Sequence, residues 1–216
     1  MQPGGPGGPG GGGPGGPGGG RGGMGGGARG GGRGRGVGIQ QGSTGRVSPH
    51  ETISANISNR VVSITYGRPY TKAPNSTELR KIWGGLVPYG AAWRLGSDEA
   101  TLLVTPVDLV FGGSVTVPAG SYTLYMMPVE TGASQLVFSK NIGKWGIPVD
   151  TTTDVAKVDL VKTVLTPANE QFAMAFENVP APAPAEGAPP APVNPTVKLK
   201  IMWEATQFAV DFQVKQ

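Results

Sequence analysis

Six polar side chains lie close enough in the sequence to form one chemical site: His50, Arg68, Lys72, Arg80, Arg94 and Glu99. Arg68 and Arg94 could hold an anionic group in a two-pronged grip, because guanidinium and carboxylate geometries match. Glu99 or His50 could then move a proton, which makes these two the catalytic candidates. The same residues have a purely architectural use. An arginine carries five donors, so Arg68 and Arg94 could pair with Glu51, Asp98 or Glu99 and satisfy the carbonyls of an irregular segment. Trp83, Tyr89 and Trp93 divide in the same way, between a stacking platform for a sugar and pegs that pin a loop to the core. The ligand-binding candidates are therefore Arg68, Lys72, Arg80, Trp83, Tyr89, Trp93 and Arg94.

Other chemistries are excluded by composition. The chain has no Cys and a single His, so thiolate nucleophiles, disulfides and a His/Cys zinc site cannot be built within it. No metal and no cofactor is expected. No Ser stands in a nucleophile elbow, since Ser48, Ser63 and Ser97 lack the flanking glycines. Asp98 and Glu99 are adjacent, and on a strand they would point to opposite faces, which argues against a glycosidase pair.

The candidates fall in residues 66–100, where alternation of apolar and polar residues stops. Two of the four Trp, three of the five Tyr, five cations and five Gly are concentrated there, which implies a specified path rather than a loose loop. Around it the chain alternates. Thr52 to Ile57 and Arg60 to Tyr66 flank Ser58-Asn59, a two-residue hairpin turn. Short strands follow at Ala100 to Val104, Val107 to Phe111, Ser114 to Val117, Ser121 to Met127 and Gln135 to Ser139, separated by Gly and Pro turns. Val155 to Leu165 alternates with one slip, the mark of a bulge. Phe172 to Phe176, Val197 to Trp203 and Phe208 to Val214 complete the series. The expected fold is all-β, an antiparallel β-sandwich or jelly-roll-like domain of about nine or ten strands. One helical turn is expected at Asn75-Ser76-Thr77-Glu78, which reads as a capping box running to Ile82. Trp145 and Trp203 are expected in the core.

Of the 216 residues, 38 are Gly and 21 are Pro, but 26 of those Gly lie in residues 1–46. That stretch carries Arg21, Arg29, Arg33, Arg35 and Arg46, no acid and no aromatic residue. It cannot bury a core, so it reads as a disordered Gly-rich tail ahead of a single domain at 47–216. Its Arg-Gly spacing is that of RNA-binding arms, but without rings to stack on bases the charge gives only salt-sensitive attraction. Without the tail the net charge is close to zero, so the domain offers no basic field to nucleic acid. A Pro/Ala-rich run at 180–195 lies between two alternating segments and reads as a surface loop joining a hairpin. No apolar run is long enough to span a membrane. Met1 directly before Gln2-Pro3-Gly4 reads as a start placed on a mature N-terminus.

Three uncommon motifs occur in order: Gly67-Arg68-Pro69 with Lys72, the run Ile82-Trp83-Gly84-Gly85-Leu86-Val87-Pro88-Tyr89-Gly90, and Trp93-Arg94 followed by Glu99-Ala100-Thr101. With Ser48 to Glu51, Pro118 to Leu124, Lys144-Trp145-Gly146 and Trp203-Glu204, they resemble a bacterial family, domain of unknown function 2911, over about residues 47–215. The chain departs from the family pattern after Lys72, where Ala73-Pro74 and an insertion precede Arg80. The resemblance implies export, to the periplasm or the cell exterior, with a signal peptide already removed. It implies no reaction. The expected function is a non-catalytic module for binding, assembly or envelope structure, with an unidentified ligand or protein partner. The alternatives are a secreted hydrolase with a polar pocket under the 66–100 segment, and RNA binding through the tail. Exposed sheet edges also leave room for self-association.

Overall fold

The computed structural model describes residues 47–181 and 194–216. The tail at 1–46, with its proposed disorder and RNA-binding role, and most of the Pro/Ala run lie outside the described residues.

Every regular element among the described residues is a strand. These are β1 (His50–Ile57), β2 (Arg60–Gly67), β3 (Thr101–Thr105), β4 (Leu109–Phe111), β5 (Val115–Val117), β6 (Gly120–Met127), β7 (Ser134–Ser139), β8 (Asp154–Val179) and β9 (Thr196–Val214). They form one open antiparallel sheet in the order β1-β2-β3-β6-β7-β8-β9-β4-β5. The sheet folds over because β8 changes partner along its length. Its first part pairs with β7, from Asp154 to Leu160, and the remainder with β9, from Val161 to Val179. The two halves then face each other. Phe111 of β4 lies 4.9 Å from Phe138 of β7, and Tyr66 of β2 lies 5.6 Å from Phe172 of β8, measured between ring centroids. The core between them is built from the alternating apolar positions, such as Val62, Ile64, Leu124 and Leu136, all fully buried.

Segments separated in the sequence reading are continuous here. The stretches 155–165 and 172–176 are one 26-residue strand, and 197–203 and 208–214 are one 19-residue strand. The buried positions of β9 switch from odd (Val197, Leu199, Ile201, Trp203) to even (Phe208, Val210, Phe212). Glu204 has φ 52°, and the β8–β9 register slips on either side of Asn169, its partner. An irregular ladder lets a strand change phase without ending. The slip expected in 155–165 is also present, as a register shift opposite Phe138 and Ser139.

No helical turn forms at 75–82. Asn75 has φ 55°, the Ser76 hydroxyl accepts from the Glu78 amide at 3.0 Å, and Lys72 pairs with Leu79. The Glu78 amide goes to Ser76 rather than to an Asn75 cap, and the segment closes as a turn between two extended arms. Trp145 is also not in the core: it is 42% exposed, in a strandless stretch between β7 and β8, while Trp203 is fully buried as expected.

Candidate functional site

The irregular segment joins β2 to β3 and lies across the β8–β9 ladder. Its backbone is tied down at intervals. Thr71 donates to the Glu170 carbonyl at 2.7 Å, and Trp93 exchanges two 2.8 Å bonds with Met126 of β6. Its rings enter the core. Trp93 stacks on Trp203 at 5.9 Å and meets Trp83 edge-on at 5.8 Å, and Trp83 meets Phe208 at 5.1 Å. Trp203 donates from Nε1 to the Thr71 hydroxyl at 3.2 Å. Tyr89 covers Gly84, where an added Cβ would lie 2.9 Å from the ring. These aromatics pin the segment to the core.

Most of the arginines bond to protein groups. Arg68 lies 3.3 Å from Glu51 and donates to the Phe172 carbonyl at 3.2 Å. Arg94 donates to the carbonyls of Gly96 at 3.3 Å and Asp98 at 3.0 Å. Burial holds the Arg94 guanidinium below its ordinary pKa, and the nearby Asp98 opposes that shift. Arg80 donates to the carbonyls of Tyr70 and Thr71. Lys72 lies 3.9 Å from Glu170.

The acid–base candidates do meet. His50 Nε2 is 3.2 Å from Asp98 Oδ2 and 3.3 Å from Glu99 Oε2. Adjacent carboxylates converge on one nitrogen because this stretch is not a strand. Leu95 and Asp98 have φ 59° and 62°, and that backbone turns both side chains the same way. Asp98 also accepts from the amides of Val47 and Ser48 at 3.3 and 3.1 Å. His50 starts β1, the first strand of the sheet, as its position in the sequence suggests.

An open groove of about 750 Å³ lies against this segment. Lys72, Arg80, Arg94 and Asp98 line it, together with Trp93 and Trp203, whereas His50 and Glu99 do not. Its apolar surface includes Tyr70, Leu86 and Ile147, which are 51%, 46% and 59% exposed. Ser97, which the sequence sets aside as a nucleophile, also lines the groove. It is 92% buried (8% relative exposure), and its hydroxyl has no hydrogen-bond partner among the described residues. The reason for its burial was visible only in a glycine: a Cβ on Gly67 would lie 2.2 Å from the Ser97 carbonyl oxygen. Among the described residues no group of three or more His, Asp and Glu could hold a metal ion, and no helix is long and apolar enough to cross a membrane.

No curated protein and no solved structure matches the chain. A family model does, across residues 48–212, the same stretch that holds the strands, the pegged segment and the groove. The chain belongs to that family, described as a protein of unknown function (DUF2911).

Proposed function

We propose that this domain is a non-catalytic binding module, exported to the periplasm or the cell exterior, whose groove takes a ligand bearing an anionic group on an apolar body. Export rests on the resemblance to an exported family. The binding reading rests on one observation: Arg80 lines the groove without a carboxylate in ion-pair distance among the described residues. The other charged groups there have counterparts. Lys72 lies near Glu170, and Asp98 lies near both His50 and Arg94. Arg80 is half-buried, and the Tyr70 and Thr71 carbonyls hold its Nε and Nη2, which leaves Nη1 to donate to a bound anion. The exposed Tyr70, Leu86 and Ile147 supply apolar contact. A half-open pocket of this size suits a small organic ligand.

The test is thermal unfolding with matched probes, phenylacetate against phenylacetamide and octanoate against octanamide. A ligand at 100 times its Kd stabilises the native state by about 2.7 kcal/mol, so the carboxylates should raise Tm by several degrees and the amides should not. Arg80→Gln should remove the difference between acid and amide. Equal shifts for acid and amide, or a preference that survives Arg80→Gln, would reject the reading.

A hydrolase using His50 and Glu99 is favoured by one observation, their 3.3 Å approach. Against it, Asp98 holds the same Nε2 and the groove reaches neither side chain. Turnover of an ester or glycoside that disappears in His50→Asn, with the fold intact, would restore it.

A further inference from the structure

Strand β1 ends the sheet, and its outer edge is derivable from the turn that follows it. Ser58 and Asn59 have φ 50° and 62°, the two-residue hairpin turn whose flanking residues, here Ile57 and Arg60, form a hydrogen-bonded pair. Hydrogen-bonded pairs alternate along an antiparallel ladder. The N–H and C=O groups of Ile57, Ala55, Ile53 and Glu51 therefore face β2. Those of Thr52, Ser54 and Asn56 face away, where no strand lies among the described residues. The bond from Arg68 N–H to the Pro49 carbonyl, 2.7 Å, keeps the same parity beyond the strand. The side chains of Thr52, Ser54 and Asn56 are exposed as well.

This edge lacks the usual protections. Thr52 to Ile57 holds no charge and no Pro, and the β1–β2 register runs without a bulge. The strand at the other end of the sheet, β5, is only three residues long, and the remaining open sides are those of β8 beyond Leu160 and of β9 before Phe212. Pairing β1 with β1 closes both open β1 edges in one twofold contact, whereas joining β1 to a different edge would build an open filament. Val47, Ser48 and His50 are bonded to Asp98, so the stretch clear of that loop runs from Thr52 to Asn56, with Ser54 at its midpoint.

We infer that the occupant of this edge is β1 of a second copy, antiparallel, across a twofold axis at Ser54. That register sets Ser54 opposite Ser54, Thr52 opposite Asn56 and Glu51 opposite Ile57. No like charges meet, and the outward groups of the two strands exchange about six backbone hydrogen bonds. The groove takes no part, so this dimer is independent of the binding reading.

Sedimentation velocity of the full chain across micromolar to millimolar concentrations tests it. The expected result is a reversible shift from the 22.1 kDa monomer to a species of twice that mass. Ser54→Lys sets two ammonium groups opposite each other, and Ser54→Glu two carboxylates, so each alone should weaken the dimer up to ~5-fold. An equimolar mixture of the two variants should recover it as a heterodimer. Ser54→Thr, neutral and β-branched, should keep it, and equal Tm values should show that all three variants fold. A chain that stays monomeric throughout, a dimer untouched by Ser54→Lys, or a mixture that stays monomeric would each overturn this pairing.

Discussion

The Tyr66 phenol is enclosed between the halves of the sheet, 1% exposed. It donates to Glu51 Oε2 at 2.7 Å and accepts from the Met174 amide at 2.8 Å. Burial, then the bond to Glu51, pushes its pKa well above the ordinary tyrosine value. Tyr125, fully buried and donating to Asp154 at 2.5 Å, is pushed the same way by burial and that bond. In both, the folded pKa is raised above the unfolded value of about 10. The linked stability is complete below pH ~10 and is lost as pH rises beyond it, because the unfolded chain releases those protons first. Melting temperature should hold near pH 8 to 9 and fall from pH 10 upward. Tyr66→Phe should flatten that fall. It also leaves the Met174 amide without its acceptor, at a cost of about 1–3 kcal/mol readable by urea unfolding at pH 7. At this scale the sequence is legible where a residue has one physical habit. Arg68 and Arg94, with five donors each, bond to carbonyls and acids as their type suggests. The meeting of Asp98 and Glu99 at His50 was hidden because it depends on left-handed backbone at both Leu95 and Asp98, and Leu rarely adopts it.

Elements were legible where pattern and turn chemistry agree. Alternation located β1, β2, β6 and β7, and Ser58-Asn59 marked the first hairpin. The capping-box pattern at 75–78 misled because Asn75 accepts left-handed backbone and the Ser76 hydroxyl takes the Glu78 amide, which closes a turn. Long strands were divided too early, since a phase change at Glu204 reads in sequence as an interruption. The first hairpin is also not optimised. Both of its turn residues have positive φ, where Asn-Gly is the favoured pair and Ser carries a steric cost. The double change Ser58→Asn with Asn59→Gly should stabilise the domain by about 1 kcal/mol. For a domain of this size that is a rise in Tm of roughly 2–4 °C. A fall in Tm would mean that the Ser58 and Asn59 side chains hold contacts that outweigh their backbone cost.

Over the whole molecule, the fold is decided by one hairpin. Strands β8 and β9 are its longest elements, and their pairing carries the sheet from one half to the other. The Pro/Ala run lies between the two strands of that hairpin. Val179 pairs with Thr196, so residues 180–195 only connect the two ends of a ladder that is already in register. The cost of such a connection grows slowly, as the logarithm of its length. Replacing the 16 residues of 180–195 with a four-residue Asn-Gly turn shortens the loop about fourfold, which lowers the closure cost by about 1.2 kcal/mol. The shortened chain should melt in one cooperative transition, roughly 2–5 °C above the parent, and its groove should bind the carboxylate probes unchanged. A lower Tm would show that the Pro/Ala run contributes contacts to the folded state. Loss of the single transition would show that β8 and β9 need the longer loop to reach their register. Either result would shift the origin of the fold from the ladder itself to the segment that joins it.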